Sequence, residues 1–169
     1  CEMTRLGLPV PPGFIVTTAA CNAFLAKKGF PPGLWQEELK ALAALESKLG
    51  KRLGDPAAPL FVSCRSGAKF SMPGMMDTIL NLGLNDKSVA GLKAKTGNGR
   101  FAKDSYRRFI QMYSNVVLNI NKDLFEHELH AVKKTAKVQA DVDLKEEHLD
   151  AVIEIAGASC IDMALLLRA

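Results

Sequence analysis

No apolar run in this sequence approaches the roughly 18 residues that a membrane-crossing helix needs, so neither a span nor a membrane partner is expected. No C-x-x-C pair occurs either. The four cysteines, Cys1, Cys21, Cys64 and Cys160, stand far apart, which excludes a zinc ribbon and a thioredoxin-type motif. Four thiols can in principle make two bridges. Their low density and the absence of a secretion signal favour reduced thiols in a cytosol-like compartment and a protein that is not secreted. A dense Lys/Arg stripe with interleaved aromatics is missing as well. The 22 basic residues are offset by 18 acidic ones, and the net charge of +4 suits phosphate ligands better than nucleic acid. Without a G-x-x-x-x-G-K-[ST] run there is no Walker-type phosphate loop. Without G-x-S-x-G there is no nucleophile elbow.

What is present describes a folded protein. A chain of 169 residues and 18.3 kDa suits one ordinary domain with a sizeable core. Hydrophobic residues at 48% beside charged residues at 24% exclude general disorder, collagen and a mucin-like stalk. The sequence starts at Cys1 and stops in Leu165-Leu166-Leu167-Arg168-Ala169. A partial chain, a processed product or a trimmed piece is expected, with part of the function in residues beyond these ends.

The pattern along the chain reads as an α/β (α+β) protein: a mixed first half with a small sheet, then a mostly helical second half. Residues 2–6 read as a helix end stopped by Gly7 and Pro9. Phe14-Ile15-Val16-Thr17 is β-prone. Thr18 is placed to cap a helix to about Lys28. Over residues 34–53, Trp35, Leu39, Leu42, Leu45, Leu49 and Leu53 recur at helical spacing. Residues 60–64 and 79–82 read as strands, and 86–95 as a short helix ended by Gly97-Asn98-Gly99, an interhelical turn. Tyr106, Phe109, Ile110, Tyr113, Val116 and Val117 mark the clearest helix, about 100–118, with Phe109 and Tyr113 expected in the core. Asn121 caps the next. Asp143 and Glu146 resemble a capping box for the last.

Chemistry concentrates between Phe61 and Thr78. A strand delivers Arg65 at its end, and a loop with glycines and hydroxyls follows. The guanidinium is a planar fork that grips phosphate oxygens in pairs. Gly67 and Gly74 let backbone approach a ligand. Ser66, Ser71 and Thr78 offer donors, and Met72, Met75 and Met76 suit an adaptable apolar pocket beside a nucleobase. The plainer reading is an arginine salt bridge next to a methionine-rich core loop. Asp77 either holds a cation or braces the loop. His127 and His130 lie three apart among Glu126 and Glu128, and His148 sits among Glu146, Glu147 and Asp150. Solvated faces are the expectation for all three, and no metal site is assigned.

The run Cys64-Arg65-Ser66-Gly67-Ala68-Lys69-Phe70-Ser71-Met72-Pro73-Gly74-Met75-Met76-Asp77-Thr78-Ile79-Leu80-Asn81-Leu82-Gly83-Leu84 closely resembles the N-terminal nucleotide-binding domain of the pyruvate, phosphate dikinase family. Glu2-Met3-Thr4-Arg5-Leu6-Gly7-Leu8-Pro9-Val10-Pro11-Pro12-Gly13-Phe14 looks like the segment that precedes it. Arg107-Arg108-Phe109-Ile110 and Tyr113-Ser114-Asn115-Val116-Val117 continue the likeness. It is clear over about 2–134, fades after Val138 and leaves 158–169 as an unassigned tail. Phosphoenolpyruvate synthases share the arginine-serine loop, but the uninterrupted 71–78 sequence favours the dikinase.

The resemblance implies part of an ATP-grasp-like domain of a homo-oligomeric phosphotransferase, in the cytoplasm or plastid stroma. Such an enzyme turns ATP, phosphate and pyruvate into AMP, pyrophosphate and phosphoenolpyruvate through a phosphohistidine, with magnesium. Arg65 matches the family's catalytic arginine on the ATP phosphates; Gly74, Met76, Asp77 and Thr78 match its nucleotide loop. The family's upstream Gly-Gly-Lys lysine, magnesium carboxylates, phosphohistidine domain and pyruvate-binding barrel have no counterpart in these residues. None of His127, His130 and His148 matches the phosphoryl-carrying histidine. The expectation is a segment that contributes to ATP binding and is inactive alone. The alternatives are a non-catalytic nucleotide- or protein-binding module and an inactive truncated product.

Overall fold

A computed structural model describes residues 2–67 and 77–166, with the backbone alone for residue 156 and residues 158–166. The chain divides into two units, Cys1–Lys51 and Arg52–Ala169. Helices dominate and the strands are few, as the α/β reading expects.

The first unit holds α1 (Glu2–Arg5), α2 (Thr18–Lys27) and α3 (Leu34–Leu49). Expectations change at several points here. Thr18 opens α2 rather than capping it: the N-cap is Thr17, and no side-chain hydrogen bond caps the helix. Helix α3 stops four residues early, because Gly50 adopts the left-handed conformation (φ 61°) and its N–H returns to the Glu46 carbonyl. Phe14-Ile15-Val16-Thr17 is not a strand. β-Propensity needs a neighbouring strand to satisfy the backbone, and no strand lies in this unit among the described residues. Leu45 is buried, whereas Trp35, on the expected apolar stripe, is 63% exposed.

The second unit opens with β1 (Arg52–Leu53) parallel to β2 (Pro59–Leu60). Strands β3 (Val62–Arg65) and β4 (Thr78–Leu82) then form an antiparallel pair. The expected 60–64 strand is thus divided at Phe61. Gly83, at φ 112°, admits no side chain, since a Cβ there would lie 2.5 Å from the Leu60 carbonyl oxygen.

Helices α4 (Asp86–Thr96), α5 (Gly99–Val116), α6 (Lys122–Ala136) and α7 (Glu146–Leu166) follow, with a 3-10 turn at Asp141–Asp143. Their starts carry the side chains that end-capping requires. Asn85 and Ser88 form a reciprocal capping box on α4. Asn98 accepts from the Phe101 N–H, so Gly97-Asn98-Gly99 is the expected interhelical turn. Asn121 accepts from the Asp123 N–H. At α7 the expectation fails. Asp143 belongs to the 3-10 turn, and the His148 Nδ1 accepts the Lys145 N–H at 3.1 Å instead. Glu146 is drawn away to an ion pair with Lys93.

Helix α5 packs against β4, α4, α6 and most closely α7. One core cluster joins Leu129, Leu144, Leu149 and Val152; another joins Ile120 and Phe125, with Ile110 and Leu118 against it. Phe109 and Tyr113 are half-buried rather than buried, their ring centroids 5.7 Å apart. The buried positions of α5 are Ala102, Arg107 and Ser114. Ala102 is fully buried, and a small side chain lets another element come close.

Arg107, 5% exposed, donates from Nη2 to Asp104 Oδ1 at 2.8 Å and from Nη1 to Gln111 at 3.3 Å, and lies 3.7 Å from Asp141. Lys133 reaches Asp141 at 2.9 Å, and Arg100 donates to the backbone carbonyls of Leu144 and Asp141, both at 2.8 Å. These bonds hold the 3-10 turn against α5 and α6. The Lys133 hydrogen bond, helped by the charges of Lys133, Arg107 and Arg108 and opposed by partial burial, holds the Asp141 carboxyl below its ordinary pKa. A depressed carboxyl stabilises the fold above its unfolded pKa of about 4, and that contribution disappears as pH falls through the folded value. Asp141→Asn is therefore expected to lower the thermal midpoint at pH 7 and to leave progressively less difference below about pH 4. A difference that stays constant across that range contradicts this role.

Candidate functional site

The β3–β4 hairpin sets the candidate site. Its pairs are Val62 with Leu82, Cys64 with Ile79 and Arg65 with Thr78, with an irregularity between Val62 and Cys64. Directly opposed residues of an antiparallel pair share a face, and successive residues alternate faces. Ile79 is buried, on a strand packed against α5. Arg65 and Thr78 therefore leave the opposite face, shared with Leu80, which is 42% exposed. The residue types explain the arrangement: Val62, Thr78 and Ile79 are β-branched strand formers, and Arg65 is the last residue before pairing gives way to the connection.

Just beyond the last pair, Ser66 closes the mouth of the hairpin twice. Its N–H donates to the Asp77 carbonyl at 3.2 Å and its Oγ donates to the same oxygen at 3.1 Å. Arg65, Ser66, Asp77 and Thr78 are thus brought together. Gly74 and Met76, like Lys69, Ser71, Met72 and Met75, lie outside the described residues. Gly67 is exposed, and nothing among the described residues lies within 4 Å of where a Cβ would stand.

Arg65 is exposed, and among the described residues no hydrogen bond or ion pair holds its guanidinium. The salt bridge of the plainer sequence reading is not found among them. Asp77 is also exposed, and it enters the arrangement through its carbonyl rather than its carboxylate. Sequence reasoning picked out Ser66 as a hydroxyl donor but not its partner. Only the β3–β4 register reveals that a residue eleven positions on lies opposite it.

The other candidates stand apart. His127 and His130 are exposed on α6, His127 lying 3.6 Å from Glu128. His148 caps α7. Among the described residues no three His, Cys, Asp or Glu side chains converge to hold a metal ion. Cys21 and Cys64 are free and exposed. The first unit has its own groove of about 470 Å³, with Phe14, Val16, Ala20, Pro31 and Leu34 in its lining and Glu37 and Glu38 as its acidic members. Nothing cationic lines it, so it does not suit a phosphate. Among the described residues no helix is long and apolar enough to cross a membrane.

No family model matches the chain. Curated proteins do. It is 52% identical over 159 residues to "Pyruvate, phosphate dikinase" of Giardia intestinalis, covering 94% of this chain and 18% of that protein. It is 51% identical over 152 residues to "Pyruvate, phosphate dikinase 2" of Oryza sativa subsp. japonica, covering 90% and 17%. To "Pyruvate, phosphate dikinase, chloroplastic" of Mesembryanthemum crystallinum it is 50% identical over 154 residues, covering 90% and 16%. The chain spans less than a fifth of the length of these relatives. A match over 90% of 169 residues necessarily runs past Lys134.

Proposed function

This chain is homologous to one segment of the pyruvate, phosphate dikinases, and from that premise we propose that it supplies part of an ATP site. The observation that carries the reading is the guanidinium of Arg65, exposed at a strand end opposite Thr78 and unengaged by the described residues. The strand fixes where its backbone stands, and the side chain itself is ordered when an anion arrives. Phosphoryl transfer spreads charge over several oxygens, and positioned donors lower its barrier by stabilising that charge. Arg65 serves as a two-pronged donor to phosphate oxygens, and the Thr78 hydroxyl is a second donor on the same face. Gly74 and Met76 follow from the family likeness as nucleotide neighbours. Asp77 borders the site and holds the end of the connection through its carbonyl.

The domain type in this reading is ATP-grasp-like. The wider reaction is that of the relatives' name: ATP, phosphate and pyruvate to AMP, pyrophosphate and phosphoenolpyruvate, by way of a phosphohistidine carried elsewhere. A homo-oligomeric enzyme in a reducing compartment, cytoplasm or plastid stroma, fits this assignment. Magnesium would neutralise phosphate charge in such an enzyme. No three His, Cys, Asp or Glu side chains converge among the described residues, so these do not compose its site. Alone, the chain makes no phosphoenolpyruvate in this reading, since the phosphohistidine has no match in it.

The test is equilibrium binding of ATP, adenosine and inorganic pyrophosphate to the chain. ATP is expected to bind weakly, pyrophosphate to compete with it, and adenosine to bind at least about tenfold less well, since one charge-assisted contact carries on the order of a tenfold factor. Equal binding of ATP and adenosine, or no ATP binding at all, overturns the phosphate reading.

A further inference from the structure

Arg65 and Asp77 carry opposite charges at the mouth of one hairpin, yet they do not form an ion pair. The nearest cross-strand neighbour of Arg65 is Thr78, and Asp77 is the residue immediately before it. A flexible arginine side chain spans such a separation easily, and an exposed carboxylate–guanidinium pair is worth up to about 1 kcal/mol. What separates them is the fixed orientation of the Asp77 backbone. Its carbonyl is held by two donors from one residue, the Ser66 N–H at 3.2 Å and the Ser66 Oγ at 3.1 Å. These bonds fix the Asp77–Thr78 peptide, and alternation along the strand then sends the Asp77 side chain to the face opposite the one that Arg65 shares with Thr78.

We propose that Ser66 is a positioning residue: its hydroxyl pins the Asp77 carbonyl, keeps the Asp77 carboxylate off Arg65, and so leaves the guanidinium free for a phosphate group. The inference rests on the phosphate-binding reading of Arg65 and deepens it. Ser66 touches no ligand in this account. Losing the hydroxyl leaves the backbone bond, so the hairpin still forms, but half of the latch is gone. Asp77 then reaches Arg65 and competes with the anion from within the chain. Serine has both donors that the latch uses, and among substitutes threonine alone retains them with a similar hydroxyl position.

The experiment is a two-by-two comparison, with ATP and inorganic pyrophosphate as the probes. Ser66→Ala is expected to weaken binding of either by about fivefold, the order of one exposed hydrogen bond. Ser66→Thr is expected to stay within about twofold. In an Asp77→Asn background, Ser66→Ala is expected to change affinity by less than about twofold, because the competitor is gone. A second readout needs no ligand. The Arg65 Nε–H signal, followed by NMR, should shift in Ser66→Ala and return when Asp77→Asn is added, since the freed carboxylate contacts the guanidinium and its removal ends that contact. Equal losses in both backgrounds overturn the proposal, because Ser66 would then act on the ligand or on the fold. Loss of binding in the Asp77→Asn background also overturns it, since Asp77 would be a ligand group. An unmoved Arg65 Nε–H signal overturns it whatever the affinities do. If no variant binds either probe, the phosphate reading falls, and the Arg65 Nε–H signal decides the Ser66 claim separately.

Discussion

In a complete dikinase carrying this segment, Arg65→Ala is expected to slow formation of phosphoenzyme from ATP and phosphate by about 10²–10³-fold, the usual cost of removing one preorganised charge-stabilising donor. Formation of phosphoenzyme from phosphoenolpyruvate is expected to change by less than about threefold, since that half-reaction needs no ATP phosphates. The difference arises because Arg65 stands unengaged by the described residues, at a strand end on the face it shares with Thr78. Lysine is expected to restore little: a compact ammonium supplies charge but not two parallel N–H donors in a plane. The two half-reactions can be followed separately by pre-steady-state quenching. Equal slowing of both, with the fold intact, assigns Arg65 a general structural role. Full activity in both removes it from the site.

The largest stability effect is expected at Leu149. It is 0% exposed and packs with Leu129, Leu144 and Val152 where α6, α7 and the 3-10 turn meet. Leu149→Ala removes three heavy atoms from a filled space and is expected to cost about 2–5 kcal/mol. A domain of ordinary stability has only about 5–15 kcal/mol in total, so the denaturant midpoint should fall steeply while the slope stays unchanged. Phe109→Ala should cost less, because Phe109 is half-buried and its ring contacts Tyr113 near the surface. A larger loss at Phe109 than at Leu149 contradicts the core as described. So does an unchanged midpoint in Leu149→Ala.

Which parts of this structure were legible in the sequence depends on whether their cause is local. Helix α5 was legible because Tyr106, Phe109, Ile110 and Tyr113 repeat at helical spacing and Asn98 supplies its cap. The depth of those side chains was not. Periodicity finds an apolar stripe, but the neighbouring elements decide which edge of it is covered, and in α5 Ala102 and Ser114 lie deepest. The overlong reading of α3 has a similar origin. Leu53 continues the spacing of Leu42, Leu45 and Leu49, while the left-handed Gly50 ends the helix and leaves Arg52 and Leu53 to pair with Pro59 and Leu60. A pairing of two residues each has too short a pattern to be read from sequence. At α7, Asp143 and Glu146 had suitable spacing for a cap, but Lys93 engages Glu146 and His148 takes the capping role.

The site divides in the same way. Its residue types were visible: an arginine at a strand end, hydroxyls around it, and a loop sequence close to that of a known family. The homology over 90–94% of the chain bears out that likeness. The opposition of Arg65 and Thr78 and the two hydrogen bonds that Ser66 donates to the Asp77 carbonyl were not visible, because a hairpin's register depends on both strands together.

Residue-by-residue NMR of the isotope-labelled chain during titration with ATP tests the central claim most directly. The account predicts saturable shifts in the backbone signals of Arg65, Ser66 and Thr78 and in the Arg65 guanidinium, reproduced by pyrophosphate and absent with adenosine. Shifts confined to the groove around Phe14 and Leu34, or no saturable shift at Arg65, would contradict it.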